Sequence, residues 1–234
     1  MCRVRVAFES QRRALLAALL SGAVTPSSLA RMAPPSWTVF ELGAEIDAAV
    51  STGALAINDA GVAAGWVGDA PALFTPDGRA RRLGERPGRA LGFDRDGHVV
   101  GRFFGADDGP PVAFVGRGAR LVETTSLEAA AMPDEAHMRS RPQLPRAFFA
   151  QAYGRNRAGD VVGTSDTGVG SAARAVMQAV QGDAIDLEAL PEVRAAGWRQ
   201  LLVAYAINNR GAIVGVGTRR DGAMRGFLLM PRLR

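Results

Sequence analysis

The chain has 234 residues, 47% of them hydrophobic, which is enough to build a core in one or two domains. Its formal charge of +5 comes from 28 basic residues, every one an arginine, against 23 acidic ones. The single cysteine, Cys2, excludes an intramolecular disulfide and a thiolate metal site, and scattered arginines with few Tyr and Trp speak against nucleic-acid binding.

Residues 1–30 have three parts: a basic start with Arg3, Arg5, Arg12 and Arg13, an apolar run of 11 residues from Ala14 to Val24, and Ser28-Leu29-Ala30. Small residues at −3 and −1 of a cleavage point complete the plan of a secretory signal, and the run is shorter than the ~20 residues of a spanning helix. The competing reading is an amphipathic helix packed on the domain, and Glu9 within the basic start is untypical of a signal. Without residues 1–30 the balance falls to 24 basic against 22 acidic side chains. Residues 31–36, with Pro34-Pro35, read as a stiff spacer. Residues 37–234 read as a single β-repeat domain.

Residues 54–65, A-L-A-I-N-D-A-G-V-A-A-G, return without gaps at 90–101, 152–163 and 204–215. Each of the four 12-residue copies has Ala first, Leu or Tyr second, Asn or Asp fifth, and Gly eighth and twelfth. The first half of a copy is a short apolar run and the second half is β-branched or small, so both lean toward strand. Between them, Asn58, Asp94, Asn156 and Asn208 can open a turn through the side chain, and Gly61, Gly97, Gly159 and Gly211 supply the positive φ that closes it. Each copy is therefore a tight hairpin, and the last Gly marks a close backbone approach.

A second strand pair follows each hairpin. Ala72-Leu73-Phe74 and Ala80–Gly84 flank Pro76-Asp77-Gly78; Val112–Val115 and Ala119–Val122 flank Arg117-Gly118; Ala175–Met177 and Ala184–Leu187 flank Gln181-Gly182-Asp183. The fourth unit stops after Gly226-Phe227-Leu228-Leu229, while a strand of the missing kind, residues 37–43, stands at the front. The expected fold is all-β: a propeller-like ring of four four-stranded antiparallel blades closed by the N-terminal strand. An open solenoid or meander is the competing class.

The I-N-x-x-G-x-[VI]-[VA]-G core, followed by a small-residue–Phe strand and a D-L strand, resembles the HAF repeat family of mostly exported bacterial proteins, from about Trp37 to Pro231. The family's His-Ala-Phe tripeptide has decayed here to Ala72-Leu73-Phe74, Val112-Ala113-Phe114, Arg174-Ala175-Val176 and Arg225-Gly226-Phe227. The resemblance implies β-repeats and export and implies no particular reaction.

The intervals between the turn glycines are 36, 62 and 52 residues. Most of the first excess falls in residues 123–151, where Ser126 can cap a short helix over 127–132 before Pro133, or where a degenerate fifth blade is the alternative. Most of the second falls in residues 188–202.

Asp94-Arg95-Asp96-Gly97 begins like an acidic Ca²⁺ loop, but Phe103 stands where a bidentate Glu belongs, so an ordinary turn is expected, with no metal and no cofactor. His98 reads as a half-buried strand residue. Hydrolase, metalloprotease, P-loop and dinucleotide motifs are missing from the sequence.

Strand alternation places the first and third turns of each unit at one end, and the variable second turns and inter-unit links at the other. Binding residues gather on variable loops of a rigid frame, so the expected ligand contacts are Asp107, Asp108, Asp134, Glu135, His137, Arg139, Asp166, Arg194, Trp198 and Arg199. Trp198 has two readings, a lid over the core or a stacking surface for a sugar ring or peptide. The expected function is that of an exported, non-catalytic monomer in the periplasm or outside the cell, binding a glycan, peptide or envelope protein. No nucleic acid and no transmembrane span are expected. The alternative is a hydrolase or lyase acting on an extracellular polymer, with Asp134 or Glu135 as acid or base. N-terminal sequencing of the protein from its native host checks the address: a start near Arg31 is expected, and an intact Met1 in the cytosol refutes it.

Overall fold

All four copies fold as hairpins, and the same three devices build each one. The Asn or Asp at position five takes the first. Asn58 Oδ1 accepts from the Val62 N–H at 3.0 Å, Asp94 from His98 at 2.8 Å, Asn156 from Asp160 at 2.9 Å and Asn208 from Ala212 at 2.9 Å. Second, the Gly at position eight donates to the carbonyl of that same residue, with φ between +80° and +92° in Gly61, Gly97, Gly159 and Gly211. Third, the register slips between positions one and three, so the second residue forms a bulge. The Gly at position twelve faces the Ala at position one in every copy (Ala54↔Gly65, Ala90↔Gly101, Ala152↔Gly163, Ala204↔Gly215). A Cβ on that Gly would run into the carbonyl oxygen of the residue before the Ala: Gly53, Arg89, Gln151 or Val203.

The computed structural model describes residues 36–105, 109–117, 120–124, 151–165, 173–180 and 183–232, all within the unit Ser36–Arg234. Its described residues form four four-stranded antiparallel sheets. The first contains β2 (Thr52–Ile57), β3 (Ala63–Val67), β4 (Ala70–Phe74) and β5 (Ala80–Arg82). β6 (Gly88–Phe93), β7 (Val99–Phe103), β8 (Val112–Arg117) and β9 (Arg120–Thr124) make the second. β10 (Gln151–Arg155), β11 (Val161–Ser165), β12 (Arg174–Gln178) and β13 (Ala184–Asp186) make the third. The fourth has β14 (Trp198–Ile207), β15 (Ile213–Arg219) and β16 (Met224–Pro231), and its outer strand is β1 (Trp37–Leu42) from the front of the chain. The pairing of β1 with β16 runs from Trp37↔Pro231 to Leu42↔Gly226, as the missing fourth strand required. Of the segments named from sequence, the helix expected over 127–132 and the fifth-blade alternative lie outside the described residues.

One sequence alignment needs correcting. Phe114, Val176 and Phe227, the last residues of their tripeptides, each face the position-twelve Gly across the sheet. In the first unit that partner is Ala72, and Phe74 faces Ala63 instead. The first-unit residue that faces this Gly is thus Ala72, two residues earlier than Phe74, which sequence similarity aligned there. Two-residue shifts keep the same face of a strand inward, so Phe74, like Phe114 and Phe227, is still fully buried.

The core lies in layers between sheets. Ala54, Phe74, Val214 and Leu228 pack the first sheet on the fourth, and Ala64, Ala90, Val99 and Phe114 pack the first on the second. Val162, Met177, Leu201 and Phe227 pack the third on the fourth. The insertion of residues 188–202 resolves into a 3-10 turn at Leu187–Ala189, a one-turn helix α1 (Pro191–Ala195) and an extension of β14 down to Trp198. Pro191 at its first position suits the helix start, and Val193 is its buried residue. Glu192 on α1 accepts from the Trp37 N–H at 3.1 Å, tying α1 to the outer strand.

Glycine substitutions separate two costs. Gly215→Ala forces a Cβ onto the Val203 carbonyl and into the Phe227 ring, and should destabilise by about 3 kcal/mol. Gly222→Ala, with φ +88° and nothing within 4 Å, should cost only about 1 kcal/mol of backbone strain. Urea unfolding midpoints of the two variants measure the difference; equal losses would contradict the close approach.

Candidate functional site

The first strands of the units lie side by side, β10 against β14, β14 against β2, and β2 against β6. At Gly154 β10 lies close against β14: a Cβ there would stand 2.9 Å from the Ala206 Cα. The bulged second position of each copy lies on these neighbouring first strands. Its residues are Leu55, Leu91, Tyr153 and Tyr205, all half-buried. The two tyrosines, the only ones in the chain, meet edge to face with ring centroids 5.2 Å apart. Burial raises the Tyr205 hydroxyl above its ordinary value, with neighbouring Tyr153 adding to the shift. The Tyr153 hydroxyl donates to Gln151 Oε1 at 2.8 Å.

At the turn end the units are stitched by position six. Asp59 accepts from the Asn209 backbone N–H at 3.0 Å and from its Nδ2 at 2.7 Å. Asn209 Oδ1 in turn accepts from the Arg157 N–H at 2.8 Å, and Asn208 Nδ2 donates to the Asn58 carbonyl at 2.9 Å. A side-chain acceptor on one unit thus caps the turn of its neighbour, across three units. In the second and third units position six is Arg95 and Arg157, which only donate. The hydrogen bond from Asn209 holds the Asp59 carboxyl below its ordinary value, and Arg157 and Arg210 contribute to the same effect.

The expected ligand contacts divide. Asp107, Asp108, Asp134, Glu135, His137, Arg139 and Asp166 lie outside the described residues. Arg194 on α1 and Arg199 on β14 are exposed. Trp198 is only 5% exposed, stacked edge-on to Phe227 at 6.1 Å with the Arg219 guanidinium 5.0 Å over its ring. Of its two readings the packing realises the cover over the core. Its Nε1 is buried without a hydrogen-bond partner.

Beside it stands an ion network with a structural task. Glu41 on β1 bridges Arg219 and Arg225, each at 3.2 Å. Arg225 is 3% exposed and also donates to the carbonyls of Val50, Ile46 and Asp47. It fastens the link between the fourth and first sheets. On the same end Arg89 lies between Trp66 and Phe104, 5.2 and 5.0 Å from their centroids, and donates to the Asp69 carbonyl at 3.0 Å.

Asp94, Asp96 and His98 bring ligand-type atoms within 4.8 Å of one another. The Asp94 carboxylate already accepts from the Asp96 and His98 N–H groups and meets His98 Nδ1 at 3.1 Å, so it serves the turn, as read from sequence. Burial would raise the Asp94 carboxyl, but the hydrogen bonds from His98 outweigh it and hold it low. No helix among the described residues is long and apolar enough to cross a membrane.

Sequence reasoning missed the tyrosine row because it assigned position two only a strand role. The signal was present: both tyrosines occupy the same repeat position as Leu55 and Leu91. No family model, curated protein or solved structure matches the chain.

The depressed Asp59 carboxyl carries a pH dependence. A lowered folded pKa gives stability that is fully present above the ordinary value of 3.8 and is lost as pH falls through the folded one. Asp59→Ala should lose less than about 1 kcal/mol at pH 7, since the group is exposed and screened. The gap to wild type should narrow below pH ~4, read from thermal midpoints across that range. A gap independent of pH would rule out the charge-assisted contact.

Proposed function

We propose that the four sheets are blades of a propeller-like ring completed where β1 joins β16, and that the protein is an exported, non-catalytic binding module of the cell envelope. The order of packing, third sheet on fourth, fourth on first, first on second, supports a ring with the first strands innermost. The tripartite layout of residues 1–30 supports export, and the resemblance of the 12-residue core to HAF repeats points the same way.

One observation carries the binding reading. The repeat frame delivers the bulged second residue of each unit, Leu55, Leu91, Tyr153 and Tyr205, half-buried onto adjoining inner strands. Bulges re-aim side chains out of a sheet, and amphipathic Tyr rings with an apolar face and a polar tip suit contact with a ligand. Among the described acids, Asp59 and Asp94 accept hydrogen bonds at turns and Glu41 pairs with two arginines, which supports a structural use of these groups. The protein would act as a monomer, with the ring itself as its binding scaffold.

A screen of the full-length protein against glycans, peptides and envelope proteins tests this reading. Reversible binding without product formation is expected, lost at least tenfold in Tyr153→Ala/Tyr205→Ala. Turnover of a polysaccharide or peptide would replace it with the hydrolase or lyase reading.

A further inference from the structure

We propose that the inner strands and turns of the third and fourth units form a binding site for an acidic glycan, a carbohydrate chain bearing carboxylates. This rests on the reading of the protein as a binding module and specifies its ligand class.

Two kinds of group meet there. Tyr153 and Tyr205 present half-buried rings set edge to face 5.2 Å apart, and an aromatic face can stack against the C–H face of a sugar ring. Farther along the same strands, at the turns, stand exposed Arg157 and Arg210. Asn156 is three residues from Tyr153, on the order of 10 Å along the strand, so rings and guanidiniums lie within reach of one short oligosaccharide.

Both arginines are anchored by the backbone and free at the tip. The Arg157 N–H donates to Asn209 Oδ1 at 2.8 Å, and the Arg210 N–H to Asn208 Oδ1 at 3.0 Å. Among the described residues neither guanidinium has a hydrogen bond or an ion pair within salt-bridge distance; Asp59, the carboxylate that senses both, is turned onto Asn209. Arg155, on β10 and also exposed, adds a third cation beside Gly159.

Position six makes the arrangement informative. Where it is Asp59 or Asn209, the side chain accepts from the neighbouring turn. Arg157 cannot accept, so the third unit gives up that inter-unit bond and presents a planar, donor-only fork instead. A carboxylate matches this fork with two parallel hydrogen bonds. Neutral glycan offers no such partner, and a phosphate polymer would satisfy the arginines without needing the tyrosines.

The repeats supply their own substitutions for the test. Tyr153→Leu/Tyr205→Leu installs the residue of the first two units, and Arg157→Asn/Arg210→Ala installs residues found at the same positions in other units. Full-length wild type and both double variants would be titrated with polygalacturonate, dextran and polyphosphate at low and high salt, with unfolding midpoints confirming an intact fold. Polygalacturonate should bind wild type, weaken with salt, and weaken at least tenfold in each double variant; dextran should not bind. Polyphosphate binding as tightly as polygalacturonate, with the tyrosine variant unaffected, would reduce the site to unspecific charge and overturn the proposal. Dextran binding that ignores the arginine variant would sink the acidic specificity while leaving the binding module standing. Failure of polygalacturonate to bind, with a peptide captured in the wider screen, would likewise reject the glycan and keep the module. Cleavage of polygalacturonate would reject the module itself.

Discussion

The structure depends on one steric constraint, repeated four times: the last Gly of each copy lies so close to the bulged strand opposite that no side chain fits. The close approach has consequences in both directions. It accommodates the bulge, which re-aims the second residue of the copy. It also leaves room over the Gly, which the Phe114 and Phe227 rings fill from the next strand of their own sheets. Ala at the facing position is fully buried in three of the four copies, because a larger residue would hold neighbouring sheets apart. Motif, bulge and inter-sheet packing are thus one solution.

The turns extend this geometry from one unit to the next. The Asn or Asp at position five satisfies its own turn, and position six reaches across to a neighbour. Three acidic side chains serve the frame: Asp94 its own turn, Asp59 the turn of Asn209, and, away from the turns, Glu41 two arginines that fasten the fourth sheet. In the Glu41–Arg219–Arg225 network Arg225 is the buried member, and removing Glu41 would leave its charge without that partner. The network sits where the chain passes from its outer strand β1 into the first sheet, the junction on which the pairing of β1 with β16 depends.

Against this committed background the groups left over stand out. The two tyrosines and the guanidiniums of Arg157 and Arg210, which bond no described residue, are not part of the shared frame: the first two units do without tyrosine, the first and fourth without arginine at position six, and the other three without arginine at position seven. Repeats allow this comparison within one chain: shared residues report the constraint, and differing residues report what that constraint leaves free.

By itself the sequence determined the hairpins, their register of Asn, Gly and Gly, the four-stranded plan and the loan of a front strand, read as residues 37–43 and formed by Trp37–Leu42, to the last sheet. These are local: turn chemistry, φ sign and a two-residue alternation are written within a dozen residues. The tertiary structure alone decided the rest. It set the first unit's register two residues away from its best sequence match, because either choice buries the same strand face. It sent Trp198 into the core, where Phe227 and Arg219 from other strands enclose it. It also brought Tyr153 and Tyr205, 52 positions apart, into contact. Such proximity between units depends on how sheets pack side by side, and no spacing within a single repeat encodes that.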